Sequence, residues 1–198
     1  MKNLWFVALA STLLFSCSEK IFKPQNKKLK IHNLVKKSSN KTAEEYENQD
    51  GYFDDIFNKD GNYIGYYKVG KPYKTKGSSY TPKNYENYKE TGKASWYGSD
   101  FHGKKTANGE IFNSDSVTAA HRTLPLPSMV RVTNLKNGKM IMARVNDRGP
   151  FSKDRVIDLS EKAAILLGFK NQGTAQVRVE LLPDETEELL RQLNIRNK

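Results

Sequence analysis

Residues 91–182 fall into short β-rich runs, none longer than seven residues and most set apart by turn-forming residues. The runs cover 94–97, 117–120, 130–134, 140–146, 156–159 and 177–181. Chains built this way bury their apolar faces by curling a sheet onto itself. Val130-Arg-Val-Thr-Asn134 alternates in polarity, and Asn137-Gly138 separates it from the 140–146 run. That dipeptide is the strongest short hairpin signal. One helix is predicted after Ser160, a good N-cap, with Glu161 in the first turn and Gly168 as the stop. Ala163, Ala164 and Leu167 give it an apolar face. Beyond Pro183, Asp184 and Glu187 precede Leu189, Leu190 and Leu193, which fits a short terminal helix or a frayed tail over 183–198. The expectation is a mainly β domain over 91–182: a small six-stranded barrel with one or two short helices.

The rest of the chain is less core-like. Its 198 residues are 37% hydrophobic and 28% charged, polar for a chain folded throughout. Between residues 20 and 41 there are eight lysines and no acid; between 42 and 60 there are seven acids and one lysine. Such blocks repel internally and bury little, so 17–64 is expected to be a flexible linker. Two aromatic runs flank Lys76-Gly77-Ser78 and predict a hairpin-like lead-in over 65–90. A net charge of +11 points to an anionic partner or surface. The single cysteine excludes an intrachain disulfide framework and a cysteine-cluster zinc site. His102 and His121 are nineteen residues apart with no third ligand at zinc spacing. No metal and no cofactor is expected.

Lys2 followed by the twelve-residue, mostly apolar stretch 4–15 is the pattern of a secretory signal, too short for a membrane span. It ends in Leu14-Phe15-Ser16-Cys17, which resembles the lipobox of bacterial lipoproteins. The resemblance implies a signal peptide over 1–16 and lipid modification of Cys17. The protein is then expected in the cell envelope, lipid-anchored at the periplasmic face of the outer membrane. Nucleic acid is absent there, which removes it as a partner for the positive charge.

Four blocks carry the remaining information: Gly92-Lys-Ala-Ser-Trp-Tyr-Gly98, Phe101-His-Gly-Lys-Lys-Thr-Ala-Asn-Gly-Glu110, Thr118-Ala-Ala-His-Arg-Thr-Leu-Pro-Leu-Pro127 and Arg144-Val-Asn-Asp-Arg-Gly-Pro150, with Val156-Ile-Asp-Leu-Ser160 as a fifth. Together they closely resemble the rare lipoprotein A family of septal-ring-type lytic transglycosylases. The resemblance implies a double-psi β-barrel, here over residues 91–182. It also implies cleavage of peptidoglycan glycan strands stripped of stem peptides, leaving 1,6-anhydro-N-acetylmuramic acid ends. Only sixteen residues follow Leu182, so the peptidoglycan-binding SPOR domain of many relatives is not expected. No divisome partner can be named.

The chemistry such an enzyme needs is sparse. One carboxyl protonates the leaving oxygen and then takes a proton from the sugar's own C6 hydroxyl, which attacks intramolecularly. Glu110, Asp147 and Asp158 are the candidate carboxyls. Glu110 follows the Asn108-Gly109 turn and is expected to project beside the barrel mouth. Asp158, between Ile157 and Leu159, lies in an apolar-Asp-Leu context like that of the key aspartate in expansins and another lytic transglycosylase family. His121 is the candidate for orienting an acid. Trp96, Tyr97, Asn113, Thr118, Asn146 and Arg148 are expected to contact sugar. Asn113 stands where characterised family members carry an aspartate, which favours the rival expectation of a non-enzymatic, expansin-like wall-binding module. A hydrolase using two carboxylates and water is the third.

Overall fold

The protein's structure, a computed structural model, describes residues 54–195. The signal peptide, Cys17 and most of the expected linker lie outside the described residues.

Two short strands, β1 (Tyr73–Thr75) and β2 (Ser78–Tyr80), form the lead-in hairpin, antiparallel about Lys76 and Gly77. Six strands then close the barrel: β3 (Lys89–Trp96), β4 (Thr118–Ala120), β5 (Ser128–Asn134), β6 (Met140–Asp147), β7 (Arg155–Leu159) and β8 (Ala175–Leu181). Around the barrel the order is β3-β7-β4-β6-β5-β8, with β8 returning to β3. The β3–β7 and β4–β6 pairs are parallel and the others antiparallel, giving the double-psi barrel expected from the sequence. A closed barrel leaves no sheet edge unpaired. Its interior is filled by Ala119, Val130, Val132, Ala143, Val145, Ile157, Leu159, Val177 and Val179, all fully buried.

Local signals behave as read. Asn137-Gly138 turns the chain between β5 and β6, with Gly138 at φ 73°. Helix α1 (Glu161–Leu166) is capped by Ser160 Oγ, which accepts from the Ala163 amide at 3.2 Å. The terminal segment is a helix, α2 (Pro183–Gln192), rather than a frayed tail. Leu189, Leu190 and Leu193 are buried. Its start is set by Pro183 at the first turn, with no side-chain cap, because the fixed φ of proline suits that position. Strand β3 begins five residues earlier than the apolar pattern indicated. Lys89 to Lys93 are paired with β8 through the backbone, which polar side chains do not prevent. Gly92 marks the tight point of that strand: a Cβ there would lie 2.4 Å from Val156 Cγ1 on β7.

The expected linker requires one correction. Residues 54–64 are folded onto the barrel, beginning with a 3-10 turn at Asp54–Ile56 and a bridge between Phe57 and Tyr63. Ile56 is fully buried in the core, and Phe57 and Tyr63 pack against it. The acid count of this block masked the apolar residues within it, and burial follows those residues rather than the net charge.

Candidate active site

A cleft of about 720 Å³ opens at one end of the barrel. Its walls come from the end of β3 with Trp96 and Tyr97, the loop at 105–107, the turn after β6, and Arg155 and Asp158 of β7. Two carboxyls line it, Asp147 and Asp158. Strand β4 lies between β6 and β7, and its Ala120 is the register partner of both Asp147 and Asp158. Register partners on neighbouring strands present their side chains to the same face. The two aspartates therefore stand on one face, two inter-strand spacings apart, or roughly 10 Å between backbones.

The two carboxyls are held differently. Asp147 Oδ1 accepts from the amides of Ala107 and Arg148, each at 2.8 Å. Burial pushes its pKa above the ordinary aspartate value, outweighing those amides and the nearby Arg148 and Lys68 charges. Among the described residues, Oδ2 has no hydrogen-bond partner. Asp158 is gripped by Arg155, whose Nε donates to Oδ1 at 2.8 Å and whose Nη2 donates to Oδ2 at 3.4 Å. Burial also raises the Asp158 pKa, against the pull of Arg155. Both aspartates thus carry perturbed acidity in one concave site, a combination typical of reacting carboxyls. Burial raises the Tyr97 pKa well above its usual value, with Asp147 and Asp158 adding to the effect. Its hydroxyl is buried without a hydrogen-bond partner among the described residues, while its ring packs against Phe101 and Phe112 at 5.4 and 5.0 Å. Trp96 lines the cleft too, with its Nε1 donating to the Lys170 carbonyl at 3.2 Å.

Glu110 lies elsewhere. It was expected to project beside the barrel mouth, yet it is 0% exposed and does not line the cleft. Its Oε2 takes Arg144 Nη2 at 2.9 Å and Asn146 Nδ2 at 2.8 Å; its Oε1 takes the Tyr63 hydroxyl at 2.5 Å and Asn108 Nδ2 at 3.0 Å. Burial alone would raise its pKa, but Arg144 and the three hydrogen bonds hold the carboxyl below the ordinary glutamate value. The reason for its position is Arg144, which is 2% exposed in the middle of β6 and requires a counter-charge. An arginine inside the apolar run Met140-Ile-Met-Ala-Arg144 was the available signal for this pair.

His121 also lies outside the cleft lining and is 2% exposed. Its Nδ1 accepts from the amides of Thr123 and Leu124 at 3.2 and 3.1 Å, and its Nε2 faces the Tyr88 hydroxyl at 2.8 Å. Burial lowers its pKa, against the opposing effect of Glu90. It shapes the loop after β4 rather than reaching either aspartate; its amide donates to the Asp147 carbonyl at 3.0 Å.

Of the six residues expected to contact sugar, Trp96, Tyr97 and Arg148 line the cleft. The Arg148 guanidinium is already occupied by the carbonyls of His121, Leu124 and Val69. Asn113 donates to Asp55 at 3.0 Å, Asn146 is buried against Glu110, and Thr118 is buried within β4. None of the three lines the cleft. Sequence reasoning missed Arg155 and Phe151, both lining residues. Arg155 precedes Asp158 by three positions, too ordinary a spacing on a strand to single out. Among the described residues, no group of three or more His, Cys, Asp and Glu side chains is placed to hold a metal ion.

Residues 89–179 match the family model described as "Lytic transglycolase". A protein of Rickettsia typhi named "Endolytic peptidoglycan transglycosylase RlpA" is 58% identical over 137 residues, covering 68% of this chain and 43% of its own. One of the same name from Neisseria meningitidis is 57% identical over 113 residues, covering 57% of this chain and 47% of its own. This chain therefore spans less than half the length of these two relatives. Among solved structures, the apo expansin of Clavibacter michiganensis is 18% identical over 48% of this chain and 50% of its own, with a TM-score of 0.39. Through its barrel the chain belongs to the rare lipoprotein A (RlpA) family.

Proposed function

We propose that the protein is an endolytic peptidoglycan transglycosylase, cutting the N-acetylmuramic acid to N-acetylglucosamine bond in glycan strands that lack stem peptides. The observation that carries this reading is the pair of desolvated aspartates on one face of an open cleft, only one of them tied to a guanidinium. Asp147, with Oδ2 free and its pKa raised, gives a proton to the glycosidic oxygen as the bond to the anomeric carbon breaks. Asp158, its two oxygens held by Arg155, balances in its ionised form the positive charge that develops at that carbon. The same Asp147 oxygen then accepts the proton of the C6 hydroxyl as its oxygen closes onto the anomeric carbon, giving the 1,6-anhydro end. Holding both reacting groups of one sugar in contact makes the attack effectively unimolecular, so no external nucleophile is needed. Trp96 and Tyr97 supply aromatic surface for the sugar faces, and the positive barrel, with fourteen basic against eight acidic residues over 91–182, attracts an acidic wall polymer.

The likeness to the lipobox extends the proposal to location. Lipid on Cys17 tethers the barrel at the envelope, facing the wall from the outer membrane, and two or three acyl chains there hold far more firmly than one.

The test is release of glycan from peptidoglycan, with and without prior removal of stem peptides by an amidase. Fragments bearing anhydro ends, released chiefly from the stripped material, are the expected result. Tight binding to stripped glycan with no fragments released would overturn the enzyme reading in favour of an expansin-like binding module.

A further inference from the structure

Residues 54–66 precede the matched segment 89–179, yet they are bonded to the loop that holds Asp147. Ile56 is fully buried in the core, and Asp55 accepts from Asn113 Nδ2 at 3.0 Å and Ser116 Oγ at 2.6 Å. So anchored, the strap presents two tyrosines to the 106–110 loop. The Tyr63 hydroxyl donates to Glu110 Oε1 at 2.5 Å and accepts from Asn108 Nδ2 at 2.9 Å. The Tyr66 amide donates to the Asn108 carbonyl at 2.9 Å, and the Tyr66 hydroxyl donates to the Ala107 carbonyl at 3.1 Å. The Tyr66 ring covers Gly109, where a Cβ would lie 3.0 Å from the ring edge. On its other side, the loop donates the Ala107 amide to Asp147 Oδ1 at 2.8 Å.

We infer that the strap at 54–66 completes the active site, with Tyr63 and Tyr66 as positioning residues that hold the 106–110 loop so that the Ala107 amide fixes the Asp147 carboxyl. This rests on the transglycosylase reading above. It follows that the six strands alone do not supply a correctly aimed acid. The other groups facing Asp147 are Arg148 just after β6, Lys68 in the lead-in and Tyr97 after β3, with Asp158 of β7 across the cleft; Lys68 Nζ lies over the Tyr66 ring, 5.3 Å from its centroid, and phenylalanine keeps that ring.

The test uses the full chain carrying Tyr66→Phe, and the pair Tyr63→Phe and Tyr66→Phe together. Cleavage of amidase-stripped glycan is followed as kcat and KM, and the ionisation of Asp147 is read from its carboxyl carbon by NMR. The expected result for the pair is a kcat lower by about ten- to a hundredfold, the scale on which small misplacements are felt, with KM nearly unchanged. The Asp147 midpoint should move upward, because an amide donor that favours the ionised form is loosened. A folded pair variant with wild-type kcat and an unmoved midpoint would overturn the inference. Should the pair fail to fold, Tyr66→Phe decides alone, since Tyr66 is 52% exposed and its loss leaves the core intact. If the wild-type protein cuts nothing, the transglycosylase reading falls, while the midpoint comparison still decides whether the strap positions Asp147.

Discussion

Asp147→Asn is expected to cut the rate of glycan cleavage by about 10²–10⁴-fold, the usual contribution of a general acid–base, without lowering stability. The asparagine oxygen can still accept from the amides of Ala107 and Arg148. Its amide, however, cannot pass a proton to the glycosidic oxygen. The folded protein raises the pKa of Asp147, so folding is least penalised below the ordinary aspartate value of about 3.9. As pH rises through the elevated folded value, the ionised carboxyl increasingly opposes folding. The asparagine removes that penalty, so the variant's unfolding midpoint at pH 7 should equal or exceed the wild type's, with the difference disappearing near pH 3. Paired thermal melts and cleavage rates check both halves. A variant within threefold of the wild-type rate would remove Asp147 from the proton-donor role.

Glu110→Gln should have its largest effect on the fold. Arg144 is 2% exposed and its guanidinium rests on the Glu110 carboxylate through both Nε and Nη2, at 3.1 and 2.9 Å. Neutralising one member of a fully buried pair removes the counter-charge on which the Arg144 guanidinium rests, at a cost of about 3–5 kcal/mol. The sign of the pH dependence is opposite to that of Asp147. The folded Glu110 pKa is lowered, so its contribution is present above the ordinary glutamate value of about 4.3 and is lost as pH falls through the folded value. Denaturant unfolding of both proteins should show a wide gap at pH 7 that narrows on acidification. A gap under about 1 kcal/mol at pH 7, the ordinary scale of an exposed pair, would contradict the buried-pair account. Loss of activity in this variant would not by itself place Glu110 on the substrate, because the same change loosens the 106–110 loop.

The parts of this architecture that were legible in the sequence are those fixed by neighbours along the chain. The alternation of Val130-Arg-Val-Thr-Asn134, the Asn137-Gly138 turn and the Ser160 cap each depend on a few adjacent residues, and each produced the element expected. The site was legible only in part. Asp147 and Asp158 could be named as carboxyls, but their meeting depends on β4 lying between β6 and β7, with Ala120 opposite both. No local pattern encodes that crossover. Glu110 was misplaced for a related reason: its burial is set by Arg144, thirty-four positions later. Asn108-Gly109 correctly marked a turn, but a turn does not say which side of the loop faces water. His121 was read as a candidate for orienting an acid, whereas its ring nitrogen is occupied by two loop amides. The strap was hidden by its own composition, since Ile56 and Tyr63 sit in a stretch whose acids dominate any running average.

The departure at Asn113 takes on a physical meaning in this setting. Its side chain donates to Asp55 of the strap at 3.0 Å. An aspartate at 113 would face the Asp55 carboxylate, two like charges in contact, which is unfavourable in a partly buried site. The asparagine is thus matched to the strap of this chain, and its presence is compatible with an active cleft lined by Asp147 and Asp158.

The central claim, an internal hydroxyl rather than water as the attacking group, is tested most directly by running the cleavage in water enriched in ¹⁸O and weighing the new glycan ends. If the C6 oxygen closes onto the anomeric carbon with Asp147 taking its proton, the ends are anhydro sugars that carry no heavy oxygen. Reducing ends labelled with ¹⁸O would mean that water is the nucleophile, and that the two aspartates of the cleft serve a hydrolase.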